Sequence, residues 1–179
     1  DPAFDYLNAD YLFQAGQYDA SLAKATELEK NIGVENLPRI AVLLAYNYDR
    51  KGDSVQSRKY IETFFKTSPA DKVLANDYDI AVKVLSKFPG TQDQVVELLT
   101  KAIAADSTKP NRMKYYKLGS DVLAKAGKYA DQAKWYANYA ALRGAKDEAY
   151  YYQSATIAIN AQDGAAAQTF AKEYIANFP

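Results

Sequence analysis

Tyrosine is the residue type in this chain best suited to chemistry of contact, with 16 copies in 179 residues. A phenol ring offers flat apolar area, few rotors to freeze, and one hydroxyl that donates or accepts a hydrogen bond. Such rings suit a surface that holds a partner. The side chains that break bonds are missing. The absence of histidine removes the commonest general base, the commonest transition-metal ligand and every Ser-His or Cys-His pair. The absence of cysteine removes disulfides, thiolate metal sites and thiol nucleophiles together. Acids cluster tightly at Asp77-Tyr78-Asp79 and Asp147-Glu148. A carboxylate pair can serve as acid and base, but a metal would need more oxygen ligands on a loop such as an EF-hand. Acids at helix starts, facing the macrodipole, are the simpler reading. With no Gly-rich phosphate loop and no Gly-x-Ser-x-Gly elbow either, the chain reads as non-catalytic, without cofactor or metal.

The elements that must position the tyrosines repeat. Gly16, Gly52, Gly90, Gly127 and Gly164 recur at a near-constant step, each between two stretches with helical periodicity. Such a step marks a helical repeat array in which stacked hairpins share one core. The clearest unit runs from Leu37 to Pro69. Its first helix carries Ala41, Leu44, Ala45 and Tyr48 on one face, and its turn is Gly52-Asp53. Ser57, Ile61, Phe64 and Phe65 mark the second helix, and Pro69 forbids continuation. Helices joined this tightly must lie antiparallel.

These residues resemble the tetratricopeptide repeat. Leu44-Ala45, Tyr48, Gly52, Ser57, Phe64 and Pro69 fall at that family's spacing, as do Tyr115, Leu118, Gly119, Val122, Gly127, Tyr129, Ala133, Ala137 and Ala140 in the fourth unit. The fifth keeps Tyr151, Ala155, Ala158, Ala167 and Pro179, and the first keeps Gly16, Tyr18 and Leu22. The third departs, with Lys83 at the usual small position and Pro89 in its turn. HEAT-like or Sel1-like helix pairs are the competing reading, because the step exceeds that of the tetratricopeptide repeat. The Leu-Gly…Gly-x-Tyr pattern of the fourth unit favours the latter. The resemblance implies an all-α, right-handed α-solenoid of about five antiparallel hairpins. It would form one domain over 1–179, with units of about 1–36, 37–73, 74–109, 110–144 and 145–179. Ala45, Gly119 and Ala155 would lie where paired helices cross, with Ser57 and Ala133 opposite.

The resemblance also implies a concave groove lined by the first helix of each unit. Transferred position by position, it names Tyr6, Asp10 and Phe13, then Arg39, Val42, Tyr46, Asp49 and Arg50. Asp77, Ile80 and Lys87 follow, then Met113, Tyr116 and Ser120, and last Tyr152, Thr156 and Asn160. Tyr6, Tyr116 and Tyr152 would recur along one wall, while Tyr48, Tyr115 and Tyr151 would pack between repeats. The lysine–asparagine clamp by which this family grips a C-terminal carboxylate is absent, so an adaptor for chaperone tails is not expected.

Charge is balanced overall, 22 basic against 22 acidic residues, but segregated along the chain. Residues 1–36 hold seven acids and two bases, whereas residues 110–144 hold seven bases and two acids. Arg112, Lys114, Lys117, Lys125, Lys128, Lys134 and Arg143 make up the basic set. They read as a solvated face, or as attraction between copies or for an acidic partner. No recognition motif or overall basic excess points to nucleic acid. The longest apolar runs, such as Ile40 to Ala45, are far too short to span a bilayer. Phe170, Tyr174 and Ile175 on the closing helix have no polar capping helix after them, which suggests a fragment of a longer chain or a face that pairs with another copy. Missing cysteine and neutral, tyrosine-rich composition suit an exported bacterial protein.

The reading is a non-catalytic scaffold that binds a protein or peptide in its groove. Alternatives are a glycan-binding or glycan-uptake accessory that stacks the same tyrosines on sugar rings, and a structural homo-oligomerisation module.

Overall fold

A computed structural model describes residues 1–179 and contains helices and turns without strands. In chain order the helices are α1 (Pro2–Gln14), α2 (Tyr18–Asn31), α3 (Arg39–Arg50), α4 (Ser54–Thr67), α5 (Ala75–Leu85), α6 (Gln92–Ala105), α7 (Lys109–Lys125), α8 (Tyr129–Arg143), α9 (Glu148–Asn160) and α10 (Gly164–Asn177). A single 3-10 turn covers Ala70–Lys72. No helix is long and apolar enough to cross a membrane. The chain forms two compact units, Asp1–Phe88 and Pro89–Pro179.

In the first unit α1 pairs with α2 and α3 with α4, while α2 packs on α3 and α4 on α5. The hairpins close by one chemical device. Gly16 and Gly52 take left-handed φ values of 79° and 78°, which cost glycine nothing because it has no Cβ. The Gly52 and Asp53 N–H groups then donate to Asp49 and Tyr48 carbonyls, and the Asp53 carboxylate caps α4 by accepting from the Gln56 N–H. A second device brings the paired helices close. Ser21 donates to the Ala9 carbonyl and Ser57 to the Ala45 carbonyl, both at 2.8 Å. A serine can reach the backbone of the opposite helix only where the residue there is small. Asn47 extends the link to the next hairpin by donating to Ser21 at 3.0 Å. With neighbours on several sides, α3 buries Ile40, Ala41, Val42, Leu43, Leu44, Ala45 and Asn47.

In the second unit α7 pairs with α8 and α9 with α10, α6 packs on α7, and α8 packs on α9. Gly127 repeats the left-handed turn, with φ 71°. The fifth turn departs from the sequence reading. Its left-handed residue is Gln162, φ 59°, not Gly164, which opens α10. Gln162 and Asp163 reproduce the bonds of the other turns, to Ile159 and Ala158, and Asp163 caps α10. The fifth unit is therefore in register two residues earlier than its glycine suggests.

The crossing in the fourth hairpin also differs in detail. Gly119 is buried against the Trp135 ring rather than Ala133: a Cβ there would come within 2.2 Å of the indole. Lys83, read as filling a small position, is exposed instead. Helix α5 stops at Leu85, before the turn around Pro89 and Gly90.

These glycine positions give opposite expectations. Gly119→Ala gains about 1 kcal/mol of helix propensity but must displace a rigid ring, so a net loss of about 1–2 kcal/mol is expected from overpacking. Gln162→Gly relieves a left-handed side chain and should gain about 1 kcal/mol. Thermal melts followed by circular dichroism check both signs; a stabilised Gly119→Ala protein would refute this packing.

Candidate functional site

The first unit brings together α1, α3 and α5 around one buried ion pair. Asp77, near the start of α5, is 1 % exposed. Its Oδ2 accepts from Arg39 Nη1 at 2.6 Å and from the Leu74 N–H at 2.7 Å, so the acid both meets α3 and satisfies the opening of its own helix. Its Oδ1 is buried without a hydrogen-bond partner. Burial works against the charge on Arg39, but the bond to Asp77 and the nearby Tyr6 hydroxyl outweigh it and raise its pKa. The same guanidinium lies 5.4 Å from the centre of the Phe64 ring. Through Tyr6 the pair reaches α1.

Beside this core several of the predicted groove residues touch one another, whereas Val42 and Ile80 are buried. The Phe13 and Tyr46 rings meet at 5.7 Å, and the Tyr46 hydroxyl donates to the Asn76 carbonyl at 2.9 Å. Asp49 accepts from Lys83 at 2.7 Å and Lys87 at 3.3 Å. Its burial favours the neutral acid, but the two ammonium groups prevail and lower its pKa. Arg50 lies over the Tyr18 ring at 4.5 Å, leaving its guanidinium edge for other acceptors. Asp10 sits close enough to Tyr6 to add to the rise in that phenol's pKa, which burial dominates. Phe13, Tyr46, Asp49, Arg50, Asn76, Asp79, Ile80 and Lys83 line an open cleft of about 390 Å³.

Seven of the named groove residues, Tyr6, Asp10, Phe13, Arg39, Tyr46, Asp49 and Arg50, thus belong to one neighbourhood. The sequence reading also named Asp77, Ile80 and Lys87 there, and missed Asn76, Asp79 and Lys83. Their signal was the four-residue helical step from Asn76 to Ile80 and from Asp79 to Lys83, obscured by the shifted end of α5.

The second unit arranges its candidates differently. Tyr116 packs edge-on against Trp135 at 5.6 Å and is half-buried, and Ser120 is buried. Counted from their turns, Tyr152 shares the register of Tyr6, whereas Lys117, not Tyr116, occupies it in α7. Tyr152, Thr156 and Asn160 lie along the exposed side of α9, where Thr156 donates back to the Tyr152 carbonyl. No side-chain bond gathers these three. Of the tyrosines assigned to packing, Tyr48 stacks on Tyr60 at 5.7 Å, and Tyr115 and Tyr151 are buried.

The acid clusters serve helix starts. Asp77 does so at α5, and Asp147 caps α9 through the Tyr150 N–H while pairing with Arg143. The site offers flat rings, paired charges and a shallow cleft.

No protein-family model matches the sequence, and no curated protein matches it. Solved structures do match in fold. The C-terminal part of a tetratricopeptide-containing protein from Cytophaga hutchinsonii superposes with a TM-score of 0.64 at 20% identity, over 97% of this chain and 65% of that one. YrrB, described as a tetratricopeptide protein with an unusual peptide-binding site, gives 0.69 at 13% identity over 97% and 85%. MamA from Desulfovibrio magneticus, from its residue 41 to its end, gives 0.64 at 15% over 98% and 94%. The fold is that of the tetratricopeptide-repeat α-solenoids.

Burial, then the carboxylates of Asp77 and Asp79, push the Tyr46 phenol up from 10.0 to about 12, with Arg39 opposing. Folding therefore favours the protonated ring. That contribution is complete below pH 10 and is lost as pH rises toward 12. The melting temperature should fall over this window, and Tyr46→Phe should make the fall shallower. An unchanged slope in Tyr46→Phe would contradict the half-buried placement of this ring beside Asp77.

Proposed function

We propose that this chain, built on a tetratricopeptide-repeat fold, is a non-catalytic interaction scaffold whose first unit holds a protein or peptide on the α1–α3–α5 face. The observation that carries this reading is the convergence of Tyr6, Phe13 and Tyr46 with Arg39, Asp49 and Arg50 on one face, held by the buried Arg39–Asp77 pair. Adjacent aromatics give contact area without many rotors to freeze, and alternating cations and acids fix the register of a bound segment. The cleft's mixed charge suits a peptide that presents both signs and at least one apolar side chain. The peptide site of YrrB, a protein of the same fold, supports the assignment.

The face is preformed, so binding is equilibrium recognition with little rearrangement. On the second unit, Tyr116, Ser120, Tyr152, Thr156 and Asn160 would extend the contact if the bound segment is long enough.

A cross-linked pull-down from source-cell extract tests the proposal, using the native chain and an Arg50→Glu/Lys83→Glu variant of equal helicity. Both substitutions lie on exposed cations, so they alter the surface more than the core. The expected outcome is a protein retained by the native chain and reduced at least about tenfold with the variant, the size of one lost charge-assisted contact. Equal retention by both would move the site off this face. Retention that survives protease treatment of the extract but is lost after glycosidase treatment would replace the peptide by a glycan.

A further inference from the structure

The second unit contains a feature for which the groove reading has no use. A cleft of about 640 Å³ opens between α8, α9 and α10. Its lining is rich in alanine, Ala133, Ala137, Ala140 and Ala158 among them, and also includes Tyr150 and Phe170. The matching space in the first unit, between α2, α3 and α4, is filled. There Tyr48 stacks on Tyr60, and Glu29 accepts a hydrogen bond from the Tyr60 hydroxyl. Counted from their turns, Ala158 stands where Tyr48 stands, Ala140 where Glu29 stands and Ala133 where Leu22 stands. The side chains that close the first unit have been cut back to methyl groups in the second. At the exposed edge of this cleft stand Lys134 and Lys146, without ion-pair partners. The one acid in the lining, Asp163, is already bonded to its own helix start.

A surface of complementary chemistry lies on the first unit. Phe4, Leu7 and Tyr11 form a stripe on α1 at three- and four-residue steps, 67 %, 61 % and 68 % exposed. The same positions of α3, Ile40, Leu43 and Asn47, are fully buried, so this is a helix face of a kind this fold covers. Helix α1 has no lysine or arginine; Asp1 is used in capping it and Asp5 pairs with the terminal ammonium, which leaves Asp10 about a quarter-turn from the stripe.

We propose that the chain self-associates, the α1 stripe of one copy docking in the α8–α10 cleft of another. The apolar side chains enter the alanine-rich space, and Asp10 beside the stripe faces Lys134 or Lys146. The segregation of charge between residues 1–36 and 110–144 favours the same orientation at longer range. Because the two surfaces differ, the contact is heterologous and a pair of copies keeps one free stripe and one free cleft, so the assembly grows with concentration. None of these residues except Asp10 belongs to the proposed groove.

Sedimentation velocity of the full chain tests this, with Leu7→Glu to spoil the stripe and Ala158→Tyr to refill the cleft as Tyr48 fills its counterpart. Lys134→Glu/Lys146→Glu provides a cleft variant confined to the surface, should Ala158→Tyr disturb folding. The native chain should gain mass with concentration, and less steeply in high salt, which screens the acid–lysine attraction but not the apolar contact. Each variant alone should stay monomeric. A mixture of Leu7→Glu with either cleft variant should form a species of twice the monomer mass and grow no further, since one intact stripe and one intact cleft remain. A native chain that stays monomeric up to about 1 mM, the weak end of specific affinity, would overturn the proposal. So would a mixture that does not dimerise, or variants that assemble as the native chain does. Partner capture by the groove should be unchanged in Leu7→Glu and Ala158→Tyr, which separates failure here from failure of the groove reading.

Discussion

The first unit depends on a charge that water cannot reach. Asp77 is almost fully buried, and an isolated carboxylate there would cost several kcal/mol. Arg39 and the Leu74 N–H offset that cost, and in doing so they fix how α3 meets the start of α5. Tyr6 brings α1 up to the same cluster, close enough to Arg39 for each group to shift the other's pKa. Three helices distant in sequence thus share one polar anchor, and the aromatic face beside it inherits their positions. A salt bridge of this kind adds little net stability compared with apolar packing. Its consequence here is geometric, because other arrangements of the three helices would strand the acid.

The two units show how one backbone plan supports different surfaces. In the first, Ser21 and Ser57 stitch paired helices together, and Tyr48, Tyr60 and Glu29 close the space behind them. In the second, Gly119 admits the Trp135 ring, and farther along alanines leave the α8–α10 cleft open. Both are solutions to packing antiparallel helices at short distance. They differ in whether the spare volume is filled from within the unit or left for another molecule.

The hairpins and most of their turns were legible because left-handed φ values select glycine, as at Gly16, Gly52, Gly90 and Gly127. Gln162 escaped for the same reason in reverse: glutamine gives no sign of a left-handed turn, and Gly164 two residues on drew the register away. The repeat pattern named Phe13, Tyr46, Asp49 and Arg50 together, and in the structure they line one cleft. Asp77 was legible as a groove residue but not as a buried one, because only the fold brings Arg39 to it. Lys83 was misplaced because α5 ends short of its turn, a boundary that periodicity alone does not mark. Tyr116 and Lys117 are neighbours with similar claims to the wall, and the deciding contact, Trp135, lies across the hairpin. The cleft was illegible because alanine in a helix reads as core whether or not anything packs on it.

The most direct test of the central claim is hydrogen–deuterium exchange of the chain, free and bound to the protein that it retains from cell extract. The expected result is slowed exchange concentrated in α1, α3 and α5, where the Arg39–Asp77 anchor holds the aromatic face. Protection confined to α2, α4 or the second unit, with α1, α3 and α5 unchanged, would contradict it.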